Sequence, residues 1–399
     1  MKRRWRIATE QEILDGKTTD VYFKRTEEVL RTDNQNPLVY AEITVSGMPE
    51  ELDWGVIAGI DDALKLFEGK NISIYGLAEG SVFWPRVSSG VKVPVLSVVG
   101  HYADFAVLET PLLGFICHTS GMVSKTAYLR KASGDRTLLS FGARRTHPAI
   151  TPQVEYAAYI GGCDGVSCIL GAELLDIDAS GTMPHALIIA FQDQVKAWNA
   201  FDKVLPEKIP RIALTDTYLD EVVESVMAAE NIPNLAGVRL DTTGSRRGDF
   251  KRIIQEVRWE LDVRGFKNVE IFVSGGLNSE KILQLQDAPV AGYGVGGAIS
   301  NSSAIDFAMD IVAIHVGDEW LPAAKRGKFS GRKKIFRCPD CLQMDVLMKA
   351  DAAPTCSCGS NMNLATLKLM DQGTRSIPSR TPDEIRESIS EQTSLLELP

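Results

Sequence analysis

FVSGGLNSEKILQLQDAPVAGYGVGGAIS, residues 272–300, decides how the rest of the chain is read. An apolar strand over Val269–Val273 runs into Ser274, Gly275 and Gly276. Asn278 or Ser279 then caps a helix with Glu280 in its first turn and Ile282, Leu283 and Leu285 following. A second short strand, Val290–Tyr293, ends in Gly294, Gly296 and Gly297. Glycine lets backbone N–H groups approach an anion with no Cβ in the way, and a helix start behind the turn adds partial positive charge. Either glycine pair alone is equally a tight turn without a ligand. Two in tandem point to a phosphate site formed after the last strands of a (β/α) barrel.

Upstream, from Leu138, the chain repeats strand, loop and helix. Strands are expected to end at Phe141, Val166, Ile189, Leu214, Leu240, Val273 and Tyr293. Helical stretches lie between them, at Gln153–Tyr159, Ala197–Asp202, Leu219–Ala229 and Gly248–Val263. Such alternation predicts parallel strands joined by right-handed crossovers. About seven units fit an irregular (β/α) barrel better than a complete eightfold one. An open doubly wound sheet is the alternative, but no G-x-G-x-x-G follows the first strand of a βαβ unit.

The first 110 residues read as an α/β sandwich. An amphipathic lead-in over 1–17 precedes TDVYF (19–23), an aromatic pair beside Lys24 and Arg25 at a helix start. Val39–Val45 alternates as a strand, Trp54–Phe67 has helical period, and Asn71–Leu77 and Val91–Val99 read as strands. A long helix is expected over about Leu112–Ala132. The expected domains are therefore 1–110, the sandwich; 111–320, the barrel with its phosphate site; and 321–399, a basic linker, a cysteine module and a tail. The basic run over 325–337 reads as a solvated linker, and Asp383–Gln392 as an acidic helix.

A net charge of −9 argues against nucleic acid as the main partner. No apolar run reaches the length of a membrane span. Lys2, Arg3 and Arg4 are followed by Glu10, Glu12 and Asp15 instead of an apolar signal core. Seven cysteines, an odd number, do not suggest a secreted disulfide framework. A cytosolic protein is expected, with no membrane contact.

In a barrel, chemistry sits where strands end. Phe141-Gly142-Ala143-Arg144-Arg145 offers an aromatic face and two guanidiniums, which suit carboxylate or phosphate. Asp216 in LTDTY and Asp241 in RLDTTGSRRGD place carboxylates at successive strand ends, to hold ribose hydroxyls or a diphosphate-borne Mg²⁺. Each of them is otherwise an N-cap to the next helix. Ser245, Arg246 and Arg247 follow closely enough to meet phosphate oxygens. His185, after Gly181-Thr182-Met183-Pro184, is a catalyst if it projects into the site and a satisfied core histidine if it does not. Farther along, Cys338-Pro339-Asp340-Cys341 and Cys356-Ser357-Cys358-Gly359 offer four thiolates for a tetrahedral structural Zn²⁺, although the second pair is C-x-C.

Taken together, TDVYF (19–23), ETPLLG (109–114), FGARRTHP (141–148), GTMPHAL (181–187), LTDTY (214–218), VRLDTTGSRRGD (238–249), VSGGLN (273–278) and GYGVGG (292–297) resemble nicotinate phosphoribosyltransferase, in its archaeal type with a zinc-binding tail. The resemblance implies a type II phosphoribosyltransferase fold and a homodimer or higher assembly whose site a neighbouring subunit completes. It implies nicotinate, phosphoribosyl diphosphate and ATP as substrates, with Mg²⁺. By this likeness Tyr22 of one chain and Phe141 of another stack on the pyridine ring. Arg144, beside Arg145, meets its carboxylate or the 5′-phosphate. Arg239 and Asp241 hold the ribose with Asp216 nearby, Gly275, Gly276, Gly296 and Gly297 cradle the 5′-phosphate, and His185 falls on the histidine phosphorylated by ATP. Quinolinate or nicotinamide phosphoribosyltransferase, and a non-catalytic zinc-ribbon binding protein, are the alternatives.

Overall fold

The computed structural model describes residues 3–50, 52–348 and 352–398; Lys2 of the basic N-terminal run lies outside them. The chain divides into two compact units, and they do not follow sequence order. One comprises residues up to Ser124 and again from Ser303 to Glu397; the other runs from Lys125 to Ser302.

The second unit is built on a six-stranded parallel sheet. Its spatial order is Gly165–Val166, Thr137–Ser140, Gly292–Val295, Glu270–Ser274, Leu235–Leu240 and Arg211–Leu214. Every neighbouring pair is parallel. Leu138, Val166, Leu214, Val238, Leu240, Val273 and Val295 are fully buried, as expected where helices cover a parallel sheet and its strands become apolar on both faces. The result is a half-barrel of the type II phosphoribosyltransferase kind.

One expected strand is absent. The run ending at Ile189 is a helix, His185–Phe191, entered from Pro184 in an extended conformation. A seven-residue apolar run has no period long enough to separate strand from buried helix. The sheet thus has six strands where seven were expected.

In the first unit a seven-stranded sheet runs Glu319–Pro322, Asp306–Val316, Leu38–Gly47, Pro94–His101, Ser73–Gly76, Leu367–Asp371 and Thr374–Arg375. Its pairings are all antiparallel. Leu38–Gly47 is central, and residues 39–45 are all buried, so the alternation expected there is not realised. Trp54–Phe67 is also corrected. It forms a strand, Gly55–Ile57, and then a short helix, Ile60–Lys65. Gly59 separates them at φ +87°, and the Glu79 carboxylate accepts the N–H groups of Gly59 and Ile60 at 2.7 Å each. A side chain distant in sequence therefore stops and restarts the chain here.

Asp306–Val316 returns the chain to the first unit by pairing with Leu38–Gly47. The boundaries expected at 110 and 320 accordingly fall inside this unit, because strand pairing between residues as far apart in sequence as Val39 and Ile314 leaves no local mark. Nor is the basic run merely a linker. Lys333 is 4% exposed and donates to Glu42 at 2.7 Å, and Lys334–Arg337 is the middle strand of a small sheet with Met344–Leu347 and Asn363–Leu364. The acidic helix is found at Pro382–Ser394, with a Thr381/Glu384 capping box.

The long helix spans Glu109–Ser133. The stretch around it, Ala106–Ser133, is long and apolar enough by length and composition alone to cross a membrane, and more than half of its most apolar part is buried within the protein, as in a core helix.

Candidate active site

The C-terminal ends of the parallel strands surround a cavity of about 840 Å³ within the second unit. Phe141, Arg144 and Arg145 form one wall; His185, Arg239 and Asp241 another; Gly275, Gly276, Gly294, Gly296 and Gly297 a third. Strand order explains this meeting. Thr137–Ser140 pairs with Gly292–Val295, which pairs with Glu270–Ser274, so the Phe141 corner and both glycine turns are neighbours in space.

Glycine is required at two points. A Cβ on Gly294 would lie 2.3 Å from the Phe141 ring, so that ring packs on bare backbone. Gly275 sits at φ +86°, and its Cβ would stand 2.9 Å from both Asp241 Oδ1 and Arg247 Nη2. Asn278, and not Ser279, caps the helix that follows, accepting the Lys281 N–H at 3.0 Å.

Arg239 and Asp241 are held rigidly. Arg239 donates to the Thr182 hydroxyl at 2.8 Å, the Ser274 hydroxyl at 2.8 Å and the Met183 carbonyl at 2.9 Å, and lies 3.2 Å from Asp241 Oδ2. Ser274 in turn donates to Asp241 Oδ1 at 2.8 Å. Neither Asp216 nor Asp241 is a helix cap: Asp220 and Asp249 cap the helices that follow them. Asp216 Oδ2 instead accepts the Asp241 N–H at 2.8 Å, which locks the two strand ends together.

His185 opens its helix and lines the cavity. Its Nδ1 lies 3.0 Å from the Thr217 hydroxyl. Its Nε2 stands 3.7 Å from Asp216 Oδ1 and 3.8 Å from Asp241 Oδ2. Burial pushes the His185 pKa below its ordinary value, against the pull of Asp241, which leaves the imidazole largely neutral and nucleophilic near pH 7. Burial, reinforced by the Asp241 charge, lifts the Asp216 carboxyl to about 7; its Oδ1 is buried without a hydrogen-bond partner.

The guanidiniums of Arg144 and Arg145 are exposed at the cavity mouth and have no partner among the described residues. Such groups are available to an anion. None of Ser245, Arg246 and Arg247, the three expected to meet phosphate oxygens, lines the cavity: Ser245 and Arg246 are exposed, and Arg247 is half-buried and turned to the Ser274 carbonyl. Ser167, Thr182, Ser274 and Asn301 line the cavity without having been assigned to it. Thr182 and Ser274 sit inside quoted motifs. Ser167 carries no local signal: it reaches the site only because Val166 pairs with Ser140, one residue short of Phe141. Tyr22 lies in the first unit, 56% exposed on the Val21–Thr32 helix, its ring 4.4 Å from that of Phe23.

In the first unit, Cys338, Cys341, Cys356 and Cys358 bring four sulfurs within 4.8 Å of one another, a group able to hold a metal ion. Cys338–Cys358 and Cys341–Cys356 are each 3.5 Å apart and Cys341–Cys358 is 3.9 Å. A tetrahedron of sulfurs about 2.3 Å from a central ion has edges of about 3.8 Å, so the cluster has the right size. Cys117, Cys163 and Cys168 are not part of that cluster and form no disulfide among the described residues.

Residues 20–120 match the N-terminal domain of quinolinate phosphoribosyl transferase, and residues 123–310 its C-terminal domain. A nicotinate phosphoribosyltransferase of Mycobacterium tuberculosis, pncB2, is 30% identical over 290 residues, 69% of this chain. The chain spans 60% of that relative's length. A nicotinate-nucleotide pyrophosphorylase from Pyrococcus furiosus superposes with a TM-score of 0.93 at 45% identity, over 99% of this chain and 100% of the other. Human nicotinic acid phosphoribosyltransferase shares the fold, with a TM-score of 0.72 at 18% identity over 95% and 94% of the two chains.

Proposed function

We propose that this chain, which belongs to the type II phosphoribosyltransferase family of the nicotinate and quinolinate enzymes, makes nicotinate mononucleotide and diphosphate from nicotinate and phosphoribosyl diphosphate. One observation carries the reading. A single cavity has an aromatic ring and two unpartnered guanidiniums at one side, a double glycine turn at another, and a carboxylate fixed by Arg239 and Ser274 beside them. That is the order in which a pyridine carboxylate, a ribose and a 5′-phosphate have to be held.

Breaking the C1–diphosphate bond leaves positive charge on the ribose. Asp241, fixed at both oxygens, stabilises that charge without reorganising. The pyridine nitrogen is already a lone-pair nucleophile, so the chain supplies position and electrostatics and needs no base. Phe141 stacks the ring and Arg144 or Arg145 takes its carboxylate. Mg²⁺ carried in with the diphosphate, near Asp216 and Asp241, supplies neutralisation of the leaving group when bound. Tyr22 of a second copy covers the ring in a homodimer or larger assembly. His185 accepts the γ-phosphoryl group of ATP, which couples hydrolysis to synthesis, and Zn²⁺ occupies the four sulfurs as a structural ion. A cytosolic location is part of the proposal.

Quinolinate is the second reading, favoured by the match of both domains to those of quinolinate phosphoribosyl transferase. Its second carboxylate needs a further cation. Among the cavity-lining residues the cations are Arg144, Arg145 and Arg239, and Arg239 is committed to Asp241; His185, largely neutral, faces two carboxyl groups. The test is incubation with phosphoribosyl diphosphate, Mg²⁺ and nicotinate, nicotinamide or quinolinate, with and without ATP, followed by identification of the mononucleotide. Nicotinate is expected to give the highest kcat/KM, raised by ATP in the wild type and not in His185→Asn. Preferential turnover of quinolinate with CO₂ release overturns the reading.

A further inference from the structure

Seven residues separate Asp241, at the end of Leu235–Leu240, from Asp249, which caps the next helix at the Arg252 N–H. Thr243, Gly244, Ser245 and Arg246 of this loop are exposed. Arg247 turns the other way. Its Nε and Nη2 donate to the Thr242 carbonyl at 3.1 and 2.8 Å, and Nη2 also donates to the Ser274 carbonyl at 2.9 Å. The guanidinium carbon lies 4.4 Å from the centre of the Phe250 ring, which holds its plane. Gly248, at φ +49°, then lets the chain turn into the helix.

These bonds join two strand ends that the sequence keeps more than 30 residues apart. Thr242 follows Asp241, the ribose carboxylate of the proposed reaction; Ser274 precedes Gly275, the first glycine of the phosphate turn. Nη2 lies 2.9 Å from where a Gly275 Cβ would be, so the guanidinium packs against the bare backbone of the turn. No carboxylate hydrogen-bonds to Arg247, and every acceptor it has among the described residues is a neutral carbonyl. A half-buried guanidinium bound only to carbonyls keeps its charge for something else. Burial lowers its pKa, and Asp241 and Asp216 oppose that shift.

We propose that Arg247 is the positioning residue of the phosphate cradle: it clamps the 242–248 loop to the Ser274–Gly275 turn and sets a cation behind the 5′-phosphate. The inference rests on the phosphoribosyl diphosphate reading and adds to it the residue that shapes the cradle. Arg246, its exposed neighbour, has no such part.

Arg247→Met, Arg247→Lys, Arg247→Ala and Arg246→Met, each in the full chain, test it. Wild-type turnover is measured first; if no pyridine base reacts, the functional reading has failed and not this inference. With turnover established, Arg247→Met is expected to raise KM for phosphoribosyl diphosphate about tenfold or more, the scale of one charge-assisted contact. KM for nicotinate should change by less than about twofold. Ribose 5-phosphate, used as a competitive inhibitor, should weaken by the same factor. Arg247→Lys keeps the charge but not the two-carbonyl fork, and is expected to fall between. Added guanidinium ion should restore part of the phosphoribosyl diphosphate affinity of Arg247→Ala, a rescue that a globally misfolded variant cannot show. An unchanged KM for phosphoribosyl diphosphate in Arg247→Met, or an equal rise in Arg246→Met, overturns the proposal. So does a failure of guanidinium to rescue Arg247→Ala.

Discussion

Asp216 shows how far a residue's surroundings can take it from its ordinary chemistry. Unfolded, its carboxyl titrates near 3.8; in the fold, burial moves it to about 7. The folded state therefore holds the proton more tightly between those values. This group's contribution to stability is complete below the lower value and is lost as pH rises through the upper one. The wild type should melt lower at about pH 8 than at about pH 6 by this term, and Asp216→Asn, which cannot ionise, should narrow the gap. Thermal melts of both proteins at the two pH values check it; an identical gap in both places the charge elsewhere. Ser167 carries a second prediction. It stands at the strand end beside Phe141, the residue proposed to stack on the nicotinate ring. An added carboxylate there opposes the substrate's own, so Ser167→Asp should lower kcat/KM for nicotinate about 100-fold, the scale of a like-charge juxtaposition, and nicotinamide far less. Equal losses for both bases would mean that Ser167 is remote from the ring substituent.

At the scale of the element, the cysteine module is the piece that depends most on something outside the chain. Its strands are short; Phe336, Cys338, Cys356 and Met362 form a small buried cluster around the sulfurs, while Ile335, Met344 and Val346 of the same strands pack into the main core of the first unit. A cluster of four residues adds little stability to the part of the module around the sulfurs, so the ion proposed for that site would contribute most there. Cys338→Ser should release zinc, measured by metal analysis, and make the 338–364 segment exchange its amide hydrogens faster, while kcat falls less than about threefold because a four-sulfur site is closed to substrate. Loss of turnover in step with loss of metal would give the ion a role in catalysis. The His185–Phe191 helix teaches a different lesson. Its seven residues fit strand and helix alike, and the helix starts directly after Pro184, which is extended. A histidine at a helix start, not within a strand, is what faces Asp216 and Asp241.

The whole molecule sets the prediction with the longest reach. If Tyr22 of one copy completes the ring site of another at Phe141, two inactive variants should complement each other. Equal amounts of Tyr22→Ala and Phe141→Ala protein, mixed and allowed to exchange subunits, should recover about a quarter of wild-type activity, since half of random dimers are mixed and each mixed dimer has one intact site. Variants that stay inactive on mixing, with exchange shown by mass, would confine each site to one chain. Complementation in an assembly larger than a dimer would follow the same arithmetic at each shared site.

Much was legible in the sequence because the chemistry is local. Glycine pairs at strand ends, an Arg-Arg pair after an aromatic, acidic residues one past an apolar run and two short cysteine pairs all read within windows of ten residues. Their own conformational and ligand preferences, especially φ above zero at Gly275 and thiolate spacing at Cys338–Cys341, need no distant partner to be recognised. What only the tertiary structure decided are matters of pairing. The return of Asp306–Val316 to Leu38–Gly47 moved the domain boundaries. Register beside Ser140 brought Ser167 into the cavity. Lys333 is buried because Glu42, almost three hundred residues away, meets it. Of two adjacent arginines, Arg247 turns in because two carbonyls at separate strand ends accept it, and no local pattern distinguishes it from Arg246. Hydrogen bonds across a sheet join residues by register, and register is a property of the assembled core, where burial selects among pairings that the isolated segments permit equally.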